Sequence, residues 1–170
     1  MAVVEPVIDA LNRGEVRYVI VGGLATILHG FPRVTADVDL VVDLDPPEAR
    51  KAIAALVGLG FRPRPPVDPY AFAVPESRQA WIREKGMRVF SLHDPADPLR
   101  EVDLFVEHPI DFESLWRRSV LVPLATTTAR IAAIADLIAL KRLAGRPEDL
   151  RDIEALREIA RRKGEPDGGG

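Results

Sequence analysis

Val21-Gly-Gly-Leu-Ala-Thr-Ile-Leu-His-Gly-Phe-Pro-Arg-Val-Thr-Ala-Asp-Val-Asp-Leu-Val-Val42 is the stretch on which the reading of this chain turns. The apolar run Arg-Tyr-Val-Ile-Val at 17–21 predicts a buried strand. Gly22-Gly23 breaks it, Leu24–His29 reads as a short helix ending at Gly30, and Val38, Leu40, Val41 and Val42 mark a second strand. Asp37 and Asp39 flank Val38 on that second strand. Side chains alternate along a strand, so both carboxylates share one face, about 6.6 Å apart, with Val38 turned into the core. Two like charges on one face are unfavourable unless a cation joins them, and Asp is a poor strand former. A hard oxygen site at this spacing suits Mg2+, which takes a few carboxylates and leaves its other positions to phosphates and water.

Glu101-Val-Asp-Leu-Phe-Val106 repeats the pattern downstream, with Asp103 between two apolar residues of a predicted strand. If the two strands are neighbours, Asp103 joins the Asp37/Asp39 face. Three carboxylates there could hold two ions about 3.5–4 Å apart, or Asp103 could be the general base for an attacking hydroxyl. Upstream, Gly22 and Gly23 lack side chains, so a phosphate can approach the backbone at a strand-to-helix turn with free N–H groups. A phosphate cradle beside a carboxylate metal site is an arrangement for phosphoryl or nucleotidyl transfer, where catalysis is chiefly positioning and charge neutralisation.

The rest of the chain bounds this reading. The 170 residues contain no cysteine, which excludes a disulfide framework, a thiolate metal site and a thiol nucleophile, and fits a reducing, cytoplasmic compartment. No apolar run approaches the ~20 residues of a membrane span, and the acid-containing start argues against a secretory leader. The net charge is −3, so a nucleic-acid partner needs a local basic patch. Arg78, Arg83, Lys85 and Arg88 gather in the middle of the chain and read either as a solvated face or as such a patch. His29, His93 and His108 are scattered and form no metal set, and Trp81 and Trp116 read as packing residues.

Further elements follow from pattern. Residues 3–13 place Val3, Val4, Val7, Ile8 and Leu11 on one helical face. Pro46-Pro47 opens a helix to about Leu56, and Phe61 enters a short strand. Residues 62–80, with five Pro between 63 and 75, predict a loop or irregular edge. Arg88–Leu92 and Glu101–Val106 pair, Asp111–Arg117 is a helix, and Val120–Leu124 with Thr128–Ala132 makes a hairpin. Helices over about 134–144 and 148–162 close the chain, the last with Leu150, Ile153, Leu156 and Ile159 on one side. The expected organisation is a single domain over 1–163, with a core over about 1–125, a C-terminal helical part over about 130–163 and a disordered tail at 164–170. Ile134, Ile138 and Lys141 share a stripe of the first of these helices, and a lysine there is misplaced for a purely structural helix.

Gly22-Gly23, thirteen residues, Asp37-Val38-Asp39 and then Asp103 resemble the pattern of the nucleotidyltransferase superfamily, which shares its fold with DNA polymerase β. Arg33-Val-Thr-Ala-Asp-Val-Asp39, Asp136-Leu-Ile-Ala-Leu-Lys141 and Gly145-Arg-Pro-Glu-Asp-Leu-Arg-Asp-Ile153 resemble, more closely, the small nucleotidyltransferases grouped with AbiEii-type toxins. The resemblance implies an α/β (α+β) nucleotidyltransferase fold, a mixed sheet flanked by helices with a small helical C-terminal part. It implies Mg2+, with Mn2+ as the alternative ion, on Asp37, Asp39 and Asp103, and an NTP as donor. It further implies that Gly22 and Gly23 hold the β- and γ-phosphates, aided by Arg33 and Lys141, with Thr35 orienting the site and Asp152, or else Asp149, positioning the lysine. Arg33 reads equally as the partner of a nearby acid, Thr35 as a cap, and Asp149 and Asp152 as acids serving the helix dipole. The acceptor is open between tRNA or another macromolecule, as in toxin-like members with a cognate antitoxin, a small molecule, as in aminoglycoside or lincosamide transferases, and a protein hydroxyl, as in antitoxin-type AMP transferases. A non-catalytic antitoxin or nucleotide sensor is the rival from another class.

Overall fold

The computed structural model describes residues 4–35 and 37–168. Val3, expected in the first helix, and the last two residues of the tail lie outside them. The elements in chain order are α1 (Glu5–Arg13), β1 (Tyr18–Val21), α2 (Gly22–Leu28), β2 (Asp37–Val42), α3 (Pro46–Gly58) and β3 (Arg62–Pro63). A 3-10 turn (Pro69–Ala73), α4 (Pro75–Lys85), β4 (Val89–Asp94), β5 (Asp97–Phe105) and α5 (Phe112–Arg118) follow. The chain closes with β6 (Val120–Pro123), β7 (Thr128–Ile131), α6 (Ile134–Ala144) and α7 (Pro147–Lys163).

The strands form one mixed sheet in the order β3-β4-β5-β2-β1-β7-β6, the mixed α/β architecture that the sequence implies. β2 runs parallel to β5 and antiparallel to β1. β1 in turn runs parallel to β7. Alternation sorts the residues to two faces. Ile20, Leu40, Leu104, Phe90 and Leu92 are fully buried on one face. There Phe90 stacks on Trp81 at 5.1 Å and meets Phe72 at 5.5 Å, so Trp81 is a packing residue. The opposite face carries a single row across four strands: Val21, Asp39, Asp103 and Ser91, each aligned with the next. α2 packs beside this row and touches α6. Among the described residues no helix is long and apolar enough to cross a membrane.

Most expected elements form where the pattern put them. Residues 62–80 differ: they contain the 3-10 turn and most of an eleven-residue helix. Their prolines stand at the first positions of both, where a missing N–H costs nothing. Asp68 caps the turn by accepting from the Tyr70 N–H at 2.8 Å. Leu150 also differs from expectation, being 66% exposed. At the start of α7 the inward positions belong to Asp149 and Asp152, and the apolar stripe begins only at Ile153 and continues through Leu156 and Ala160.

Arg78 is neither a solvated residue nor part of a basic patch. It is buried, donating to the Phe72 carbonyl at 2.5 Å and the Leu44 carbonyl at 3.0 Å, and so ties α4 to the turn before α3. Arg78→Ala strips both carbonyls of a charged donor, and a loss of about 3 kcal/mol in urea unfolding is expected. A change below about 0.5 kcal/mol, typical of a surface site, would place Arg78 back in solvent.

Candidate functional site

Gly22 is the tightest constraint in the site. It has φ +65°, and a Cβ placed on it would stand 2.0 Å from Asp39 Oδ2. Only glycine meets both conditions. The Asp39 carboxylate therefore lies directly against the backbone at the strand-to-helix turn. Asp103 is its aligned neighbour on β5. Asp37 lies on the same face one pair further along, aligned with Glu101 and exposed. Glu101 itself is engaged by Arg64, whose Nε donates at 2.6 Å.

Burial pushes the Asp39 carboxyl up to about 6, reinforced by the charges of Asp103 and Asp37 and opposed by Arg146 and Lys141. Burial likewise raises Asp103, against a hydrogen bond from Ser91. Asp103 Oδ1 is buried without any partner. Among the described residues no three Asp, Glu, His or Cys side chains are already gathered closely enough to cage a metal ion. Two aligned carboxylates with an orphaned oxygen, and a third within electrostatic reach, are nonetheless hard donors short of a cation. They fit Mg2+, which is bound through one or two carboxylates and keeps its other positions for water and phosphate.

Facing these acids is a wall made by α6 and α7. Lys141 is buried, with Nζ 2.5 Å from Asp152 Oδ2 and 3.5 Å from Asp149 Oδ1. Asp149 Oδ2 accepts from the Arg146 backbone N–H at 3.1 Å and from Arg146 Nε at 3.3 Å. Between floor and wall lies a cavity of about 700 Å³. Its floor includes Val21, Gly22, Asp39 and Asp103, and its wall Leu137, Leu140, Lys141, Arg146 and Asp149. Phe105, Glu107 and His108 also line it. His108 donates from Nε2 to the Val42 carbonyl at 2.9 Å and stacks on Phe112, an anchorage that a scattered histidine did not announce.

The structure thus brings Gly22, Asp39, Asp103 and Lys141 to one cavity. Gly23, Arg33, Thr35, Asp37 and Asp152 do not line it. Gly23 makes room for a different neighbour: a Cβ there would stand 2.8 Å from Thr35 Oγ1 and 3.3 Å from Arg33 Cζ. Arg33 is ion-paired with Asp152, so it reaches an acid, one of its two expected roles. Asp152 takes both Lys141 and Arg33 on one oxygen. Arg146 is not among the predicted site residues, and its only signals in the sequence are the Gly145–Ile153 resemblance and its place before a helix-opening proline. His29 is structural, donating to the Ala132 carbonyl at 2.8 Å. Trp116 packs under Arg130 at 4.0 Å.

A family described as "Nucleotidyltransferase of unknown function (DUF6036)" matches residues 3–161. No curated protein sequence matches the chain significantly. Among solved structures, the solution structure of the antibiotic-resistance factor ANT(2'')-Ia is similar over 94% of this chain and 81% of that one, with a TM-score of 0.58 at 16% identity. The crystal structure of an antigenic nucleotidyltransferase-like protein from Paracoccidioides brasiliensis is similar over 93% of this chain and 73% of that one, with a TM-score of 0.54 at 21% identity. At these identities the likeness is one of fold.

The Asp39 shift has a sign that can be measured. A carboxyl whose value rises from 3.8 to about 6 on folding holds its proton more tightly when folded. Its contribution to stability is full below the lower value and is lost as pH rises through the upper one. Without divalent ions, Asp39→Asn should therefore be more stable than the parent at pH 8, by about 2 kcal/mol, with the gap closing by pH 4. Equal stability of the two proteins across that range, measured by urea unfolding in EDTA, would contradict the strained carboxylate. Gly22→Ala should instead fail to bind nucleotide, because the methyl group displaces the Asp39 carboxylate.

Proposed function

The chain belongs to the family of nucleotidyltransferases of unknown function designated DUF6036, and from that premise we propose that it moves a nucleoside monophosphate from an NTP to an acceptor hydroxyl, releasing pyrophosphate (an EC 2.7.7-type reaction). The observation that carries this reading is the placement of Gly22, Asp39 and Asp103 on the floor of one cavity whose wall holds Lys141. Asp39 and Asp103, with Asp37 exposed one pair further along the same face, would hold Mg2+, for which Mn2+ is the natural substitute. When bound, the ion neutralises phosphate charge and the mutual repulsion of the acids. The Gly22 backbone admits the polyphosphate, and Lys141 meets its charge from the wall.

The acceptor oxygen forms a bond to the α-phosphorus as the bond from that phosphorus to the β-bridging oxygen breaks. Asp103 takes the hydroxyl proton, a role supported by its raised carboxyl and its free Oδ1. The electron pair of the broken bond leaves on pyrophosphate. A reaction that consumes NTP and depends on Mg2+ suits a cytoplasmic enzyme.

For the acceptor, a small molecule is the favoured class. RNA binding draws on released counterions along a basic surface. Here the net charge is −3. The basic cluster expected at residues 78–88 loses Arg78 to the interior and has Arg83 paired with Glu84. The AbiEii-type reading, with tRNA as acceptor and an antitoxin as partner, is supported by the motif resemblance at Arg33–Asp39 and Asp136–Ile153.

Pyrophosphate release from γ-labelled NTPs, with aminoglycosides, lincosamides and tRNA as acceptors, tests this reading. Asp39→Asn and Asp103→Asn should each cut release by about 100-fold or more, and EDTA should abolish it. Undiminished transfer in Asp39→Asn would overturn the mechanism. Tight NTP binding in EDTA, with no release from any acceptor, would make the chain a nucleotide sensor.

A further inference from the structure

Beyond the Phe31 N–H, which donates to the Thr26 carbonyl at 3.2 Å, the segment 31–35 between α2 and β2 is held at two points. Thr35 and Arg33 rest on Gly23, and the Arg33 guanidinium is paired with Asp152 on α7. Between them Val34 is 92% exposed and gives the segment no apolar anchor at that position. The Asp152 side chain is 6% exposed and offers the same oxygen to Arg33 and to Lys141. Lys141 lines the cavity and Arg33 does not.

A carboxylate this deeply buried cannot give up its only cation without a large penalty. If Lys141 were the sole partner of Asp152, every step of the ammonium toward a phosphate would leave that carboxylate uncompensated. Arg33 removes the difficulty. Its side chain is 29% exposed, and it pairs with Asp152 without lining the cavity. Its guanidinium holds charge at any working pH. With Arg33 in place, Asp152 stays neutralised while Lys141 turns to a polyphosphate.

We infer that Arg33 is a positioning residue rather than a phosphate ligand: it acts through Asp152 to release Lys141 to the polyphosphate, and in doing so binds the 31–35 segment to α7. The inference rests on the nucleotidyl-transfer reading for the presence of a polyphosphate in the cavity. As Lys141 leaves Asp152, the Arg33–Asp152 pair carries the whole interaction, so polyphosphate binding tightens the segment.

The experiment is a double-mutant cycle on the binding of inorganic tripolyphosphate, read by calorimetry, with hydrogen exchange of residues 31–35 as a second readout. Arg33→Gln should weaken binding by about tenfold in the parent, within the usual range for contacting residues, and have little effect in Asp152→Asn. Arg33→Lys should restore most of the affinity. Tripolyphosphate should slow exchange over 31–35 in the parent and leave it unchanged in Arg33→Gln, a comparison that needs no change at Asp152. Equal losses from Arg33→Gln in both backgrounds would make Arg33 a direct ligand and overturn the inference while leaving the transferase reading intact. Faster or unaltered exchange in the parent on binding would overturn it too. A parent chain that binds no tripolyphosphate would remove the transferase reading and the inference together.

Discussion

The close approach of Asp39 to the Gly22 backbone is the constraint from which the site is built. The strand β1 ends at Val21, the chain turns through a positive φ at Gly22, and the space a side chain would fill is taken by a carboxylate from the adjacent strand. Any other residue would push Asp39 out of the row it shares with Val21, Asp103 and Ser91. The mixed sheet matters to function because it sets β2 between β1 and β5. A turn and two acids far apart in sequence then stand side by side.

That arrangement costs stability, and the cost is visible in the raised carboxyls of Asp39 and Asp103 and in the orphaned Asp103 oxygen. Proteins keep such features where a ligand relieves them. Across the cavity the opposite problem is solved internally, since Lys141 is buried and Asp149 and Asp152 are turned inward to meet it. The cavity thus has an under-compensated acidic floor and an ion-paired wall. A magnesium polyphosphate, cation toward the floor and anion toward the wall, matches both.

Much of this was legible in the chain. Alternation around Val38 and Val102 put Asp37, Asp39 and Asp103 on the strand face opposite the core, and the stripe of Ile134, Ile138 and Lys141 marked a lysine facing inward. The proline-rich stretch at 62–80 misled, because proline breaks a helix from within but starts one from its first turn, and only the packing of Phe72 and Trp81 on Phe90 shows which applies. Leu150 misled for a related reason: helical periodicity assigns the apolar side inward, whereas at this end of α7 an ion pair with Lys141 turns Asp149 and Asp152 to the interior instead.

By itself the sequence determined the local pieces: the glycine turn, the alternating acids, the helical C-terminal pair and the likeness to nucleotidyltransferases that these motifs carry. Their signals lie within a few residues of one another, where strand alternation and helical period act. The tertiary structure alone decided which pieces meet. Strand order aligned Asp39 with Asp103 and Asp37 with Glu101, side-chain packing sent Arg78 to the interior, and one buried carboxylate, Asp152, joined Arg33 and Lys141 across 108 positions of chain (from 33 to 141). Such long-range pairings are set by what fits and by which charges remain uncompensated once water is excluded, and neither quantity is written in any short stretch of residues.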